Sequence, residues 1–118
     1  MRNVHLRAFR AAIEAGAATD MTAFTDIDGV PATANEFLLT DVLRDEWGFD
    51  GMGVSDWDSV RQLEIQGFTD NEAAAALAAF TAGVDMEMVG ESFARHLESA
   101  VEADPALLPR LDSAVANV

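Results

Sequence analysis

Apolar positions along the chain follow two rhythms, one helical and one of short continuous runs. Leu6, Phe9 and Ile13 fall on one helical face and Gly16 stands where such a helix stops, which predicts a helix over about residues 3–15. A strand is expected near residues 19–24. The stretch Thr25-Asp26-Ile27-Asp28-Gly29-Val30-Pro31 is dense in turn formers and reads as a loop. It leads to a helix over Glu36 to Trp47 with Leu38, Leu39, Val42 and Leu43 inward, and Gly48 marks its end.

Gly51-Met52-Gly53-Val54-Ser55 is apolar on both faces, as a strand buried in a parallel sheet must be, and it delivers Asp56 to its C-terminal end. A short helix is expected over Asp58 to Glu64. Thr69-Asp70-Asn71-Glu72 then matches a capping box at the head of an alanine-rich helix that ends near Gly83. Val84 to Met88 reads as a third strand. A helix with Phe93, Leu97 and Val101 aligned follows, and a last helix is entered at Pro109.

The strand centres near Thr22, Val54 and Met86 are 32 residues apart each time. That spacing suits repeated strand–helix units with parallel strands, so the fold class is α/β. Three such units, with strands near 19–24, 51–56 and 84–88, cannot close a TIM-type (β/α)8 barrel by themselves. Closing eight strands takes roughly 250 residues, so two sheet edges are expected to stand unpaired.

Composition narrows the function more than the fold. The chain has 118 residues, no cysteine, and 21 acidic against 7 basic residues, all of the latter arginine, for a net charge of −14. Disulfides, thiolate nucleophiles and cysteine–zinc sites are thereby excluded. A field of that sign repels phosphate backbones and anionic lipid, so neither nucleic acid nor membrane is expected as a partner. No secretion signal is read at Met1-Arg2-Asn3-Val4-His5, and the compartment stays open. Asp26-Ile27-Asp28-Gly29 lacks the ligand series of a calcium loop, His5 and His96 do not form a zinc pair, and no phosphate loop is present. No metal or cofactor is expected.

In parallel α/β folds, reactive groups gather at the carboxyl ends of strands, and Asp56 is at such an end. Asp56 can serve either as a cap for the short helix after it or as a chemical group. Trp57 beside it supplies what a sugar site needs, an apolar plate next to a carboxylate that stabilises a cationic anomeric carbon; the other reading is a core tryptophan. Asp85 and Glu87, ending the third strand, are read as structural hydrogen-bonding groups.

The segment Phe37-Leu38-Leu39-Thr40-Asp41-Val42-Leu43-Arg44-Asp45-Glu46-Trp47-Gly48-Phe49-Asp50-Gly51, running into Val54-Ser55-Asp56-Trp57, resembles family-three glycoside hydrolases of the β-glucosidase type. Gly29-Val30-Pro31-Ala32-Thr33-Ala34-Asn35 before it and Ala82-Gly83-Val84-Asp85-Met86-Glu87-Met88 after it are similar to the same family in order and spacing. The likeness implies that residues 1–118 are a fragment of the N-terminal catalytic barrel domain, covering its last three strands and helices. It implies Asp56 as the nucleophile of a retaining mechanism on terminal β-linked sugars, with Met21, Phe24 and Trp57 as substrate-binding residues; for Met21 and Phe24, barrel core is the alternative.

A second carboxyl group must lie roughly 5 to 5.5 Å from such a nucleophile to protonate the leaving oxygen. In the family it comes from outside this stretch, as do the Arg and Lys-His elements that hold the sugar hydroxyls. The family usually has asparagine where this chain has Thr25 and Asp28, and a bulkier apolar pair at Met52-Gly53. The expected partners are a β-linked oligosaccharide or glucoside, and the missing barrel portion or a second copy to cover the open edges. The alternative function is a non-catalytic half-barrel module that assembles with itself or with a partner chain.

Overall fold

The computed structural model of the chain describes residues 1–118. Helix α1 (Leu6–Glu14) carries the expected apolar stripe, yet none of its residues is buried. Its apolar side faces a cleft of about 680 Å³ whose other wall is built by Leu38, Leu39, Val42, Leu43 and Trp47. The periodicity is therefore real, but α1 has no close-packed partner here.

Strand β1 (Thr19–Met21) pairs in parallel with β4 (Met52–Val54), in the register Thr19 to Met52, Asp20 to Gly53 and Met21 to Val54. The α/β character expected from the spacing is present, but the strands are shorter than the runs that announce them. The third strand is the largest correction. Residues 84–88 make a single parallel bridge, Val54 to Met86, with the Asp85 N–H donating to the Gly53 carbonyl at 2.8 Å and the Ser55 N–H to the Met86 carbonyl at 2.9 Å. The segment borders only one strand and turns away at Val89, so no ladder extends.

The turn-rich loop holds a miniature antiparallel hairpin, β2 (Asp26–Ile27) with β3 (Val30–Pro31). Asp28 and Gly29 between them both have positive φ, 53° and 80°, as a two-residue turn matched to strand twist requires. Aspartate tolerates the left-handed conformation nearly as asparagine does, which explains why Asp28 fills a place where asparagine is usual.

A helix over Phe37–Glu46 follows, as the pattern predicts, and buries Leu39, Val42 and Leu43. It is wound as a π-helix, with bonds such as the Trp47 N–H to the Val42 carbonyl at 3.1 Å. Asn35 starts it, its side-chain oxygen accepting the Leu38 N–H at 3.1 Å. The remaining helices are α2 (Ser59–Ile65), α3 (Glu72–Ala82), α4 (Ser92–Ala103) and α5 (Leu108–Asn117). At the head of α3 the cap is Asn71, whose side chain accepts the Ala74 N–H at 2.9 Å; the Thr69 hydroxyl donates to the Asn71 carbonyl, and the expected reciprocal capping box does not form.

Small side chains decide how the core packs. Ala75, Ala79 and Ala82 on α3 join Leu39, Val60, Leu63 and Val84 in one buried cluster, while Phe80 meets Phe93 of α4 edge to face. Gly53 has a comparable role in β4. A Cβ there would stand 3.1 Å from the Gly83 carbonyl oxygen and 3.4 Å from an Arg44 guanidinium nitrogen. The glycine at the place of the family's bulkier pair leaves room for Arg44 and the Gly83 carbonyl to approach.

That approach centres on Asp85, whose side chain is wholly buried. Its carboxylate accepts from Arg44 at 2.6 Å, Arg110 at 2.8 Å, the Gly53 N–H at 2.9 Å and Asn117 at 3.2 Å. The structural role read for Asp85 in the sequence is the one it has. Arg44 also donates to the Gly51 carbonyl, and Arg110 to the Phe80 and Val84 carbonyls, so one anion joins the π-helix, β4, the end of α3 and α5. Truncation of one partner of a buried pair typically costs about 3–5 kcal/mol, because the other charge is left uncompensated. Asp85→Ala is expected to cost about 3 kcal/mol, near the lower end because both arginines keep some access to water, as measured by urea unfolding.

Asp20, in β1, is the second charged group near Arg44. Burial raises its pKa above the ordinary aspartate range, and the opposing pull of Arg44 is the smaller effect. The folded chain therefore holds the Asp20 proton more tightly than the unfolded chain does, so stability falls as pH rises from the ordinary aspartate range through the raised value. Asp20→Asn is expected to be more stable than the parent at pH 7, with the difference closing as pH drops below that range; unfolding midpoints against pH give the measurement.

Candidate active site

Asp56 lies two residues past the end of β4, at the carboxyl end of the parallel pair. Every backbone polar group of this residue is held. Its N–H donates to the Thr22 hydroxyl at 3.4 Å, and its carbonyl accepts the Ser59 N–H and the Ser55 hydroxyl, each at 3.1 Å. Its carboxylate accepts the Trp57 N–H at 2.6 Å and does not cap α2, whose N-cap position is Asp58 with no side-chain bond.

Behind Asp56 runs a chain of buried hydroxyls. Thr33 donates to Ser59 at 3.0 Å and lies 2.9 Å from the Thr22 hydroxyl. A hydroxyl has one proton to give, so Thr22 donates to Thr33 while accepting from Asp56, and the series runs in one direction. Such a series polarises itself cooperatively. These groups went unread in the sequence, because isolated Thr and Ser residues carry no periodic signal.

The other residues expected at the site are half-exposed or more. Met21 is 47 %, Phe24 48 % and Trp57 63 % exposed, so none of the three is a core side chain. Met21, Val54 and Met86 occupy matched positions across the sheet, and Met86 is also 46 % exposed. The bond from Asp56 to Thr22 brings the Met21–Phe24 segment beside the Asp56 segment. Phe24 has a second neighbour that sequence reading did not supply. With Phe68, Asp26 and Gln66 it lines a separate cleft of about 410 Å³ between the hairpin and the end of α2.

The Glu87 carboxylate accepts the Phe93 N–H at 2.7 Å at the start of α4. His96 lies 3.4 Å from Glu72, between α4 and α3, and no group of three or more His, Cys, Asp or Glu residues is gathered as a metal site. The large cleft beside α1 reaches Met21 but not Asp56, which is partly buried. No helix is long and apolar enough to cross a membrane.

Comparison with known proteins bears on the same residues. The chain is 35 % identical over 116 residues to a periplasmic β-glucosidase of Salmonella typhimurium, covering 98 % of this chain and 15 % of that protein. It is 39 % identical over 127 residues to a β-xylosidase of Formosa agariphila, covering 100 % of this chain and 18 % of the relative. A crystal structure of β-glucosidase from Listeria innocua superposes with a TM-score of 0.92 at 42 % identity, over 95 % of this chain and 16 % of that one. The chain thus spans less than a fifth of the length of these relatives. The model of the glycosyl hydrolase family 3 N-terminal domain matches residues 1–118, and the chain belongs to that family.

Proposed function

We propose that this chain supplies the nucleophile-bearing wall of a retaining glycoside hydrolase that releases terminal glucose- or xylose-type units from β-linked substrates. The observation that carries this reading is Asp56 itself, a carboxylate at the carboxyl end of a parallel strand with its backbone fixed on both sides and an exposed indole next to it. In the proposed reaction a carboxylate oxygen of Asp56 bonds to the anomeric carbon as the aglycone oxygen departs with a proton from an acid. Water then cleaves the glycosyl ester with retention. Fixing the backbone matters because a nucleophile held in attack geometry has its orientational cost met before substrate arrives.

Trp57, Met21 and Phe24 are assigned to the apolar walls of the sugar site. Half-exposed aromatic and thioether groups suit the C–H faces of a pyranose, which polar groups hydrate poorly. No residue of this chain is assigned as the general acid, and none is assigned to grip the sugar hydroxyls. The chain alone is therefore expected to release no detectable nitrophenol from an aryl β-glucoside. Turnover by the purified chain that disappears in Asp56→Ala would contradict this.

The proposed remainder of the barrel also accounts for the uncovered surfaces. β1 pairs only with β4, and the stripe of α1 lies over an open apolar cleft. Fourteen net negative charges on each copy oppose covering these surfaces with a second copy.

A graft tests the nucleophile assignment directly. Residues 1–118 replace the superposed segment of the Listeria innocua β-glucosidase, and aryl β-glucoside hydrolysis is measured. The graft is expected to be active, and Asp56→Ala within it to lose at least about a thousandfold in kcat/KM, roughly 4 kcal/mol of transition-state stabilisation. An active graft whose rate survives Asp56→Ala would remove Asp56 from the mechanism.

A further inference from the structure

Ser55 precedes Asp56 and is fully buried, and no step of the proposed chemistry uses it. Its hydroxyl donates to the Asp56 carbonyl at 3.1 Å and accepts the Met88 N–H at 2.8 Å. Two backbone bonds join the same segments, from the Asp58 N–H to the Met88 carbonyl at 3.1 Å and from the Ser55 N–H to the Met86 carbonyl at 2.9 Å. The side chain of Ser55 thus stands where the strand bearing Asp56 and the segment Met86–Gly90 cross.

Both segments are bent out of relaxed geometry close to that crossing. Asp58 has φ 53° and Val89 has φ 70°. A β-branched residue takes positive φ only where its surroundings enforce it, and such residues persist where neighbouring contacts over-determine the backbone. The Met88 N–H, one residue before Val89, donates to the Ser55 hydroxyl, and the Met88 carbonyl accepts the Asp58 N–H. An alanine at position 55 would leave both the Met88 N–H and one lone pair of the Asp56 carbonyl without their side-chain partner.

We infer that Ser55 is a positioning residue that sets the direction in which the Asp56 carboxylate leaves the strand and couples it to the Met86–Gly90 segment. It touches no substrate and acts through the Asp56 backbone. The coupling gives Met86–Gly90 a role that its single bridge would not suggest, since displacement of this segment pulls on the carbonyl of the reactive residue. The inference rests on the proposed role of Asp56, but the geometry it describes can be measured apart from catalysis.

The test is nuclear magnetic resonance on the 118-residue chain, comparing the parent with Ser55→Ala and with Ser92→Ala. Ser92 is the control, because it is also buried and hydrogen-bonded, to Glu72 at 3.1 Å. In Ser55→Ala, exchange of the Met88 amide is expected to accelerate about tenfold relative to the Leu63 and Phe80 amides. The Trp57 amide resonance and the chemical shift of the Asp56 carboxyl carbon at fixed pH are expected to move with it, and none of the three to respond to Ser92→Ala. Unchanged Asp56 and Trp57 signals in Ser55→Ala, or equal changes in Ser92→Ala, overturn the inference. Should Ser55→Ala not fold, the parent still decides: a Met88 amide exchanging at the open-chain rate overturns it, and strong protection supports it. Failure here would leave the graft's dependence on Asp56 intact, while loss of that dependence would leave these signals as they are.

Discussion

One buried anion organises the half of the molecule that faces the helices. The carboxylate of Asp85 holds two guanidinium groups, a strand amide and a terminal asparagine. Charges so far from water are tolerated only when their hydrogen-bonding capacity is filled, and here two arginines and two amides fill it. Because Arg44 and Arg110 also donate to backbone carbonyls at Gly51, Phe80 and Val84, the cluster fixes where helices end relative to β4. A side chain at Gly53 would crowd the Gly83 carbonyl and the Arg44 guanidinium of this cluster.

At the carboxyl end of the same strand the organising groups are neutral. Thr22, Thr33, Ser55 and Ser59 are all buried, and together they receive or supply the hydrogen bonds of the Asp56 backbone and its surroundings. An ion pair at this place would perturb the charge of the Asp56 carboxylate; hydroxyls fix its backbone without adding a net charge beside it. The division of labour gives β4 a charged anchor toward the helices and an uncharged cradle at its carboxyl end, beside the residue proposed as nucleophile.

Elements with local causes were legible in the sequence. The start of α3 near residues 69–72, its stop at Gly83 and the inward set Leu39, Val42 and Leu43 were readable from neighbours in the chain, although the cap is Asn71 and not the expected Thr69 box. Strand lengths were not, because a ladder persists only where a neighbour pairs with it, and residues 84–88 have a partner on one side alone. The π winding of Phe37–Glu46 was invisible, since over ten residues the inward set fits an α-helix equally well. Asp56 stood out through its place at a strand end and the surrounding motif, whereas the Asp85 cluster joins residues 25 to 41 positions apart and had no local trace.

The uncovered stripe of α1 carries a consequence for how the chain behaves in bulk. With Leu6 and Phe9 over an open apolar cleft and Met21, Trp57 and Met86 in contact with solvent, short-range attraction between molecules is built into the surface. What opposes it is the long-range repulsion of fourteen excess anionic charges, a force that reaches only about 10 Å at 0.1 M salt and about 3 Å at 1 M. Dispersal of this polypeptide is thus an ionic property more than a consequence of a sealed interior, and concentrated electrolyte strips it of that protection.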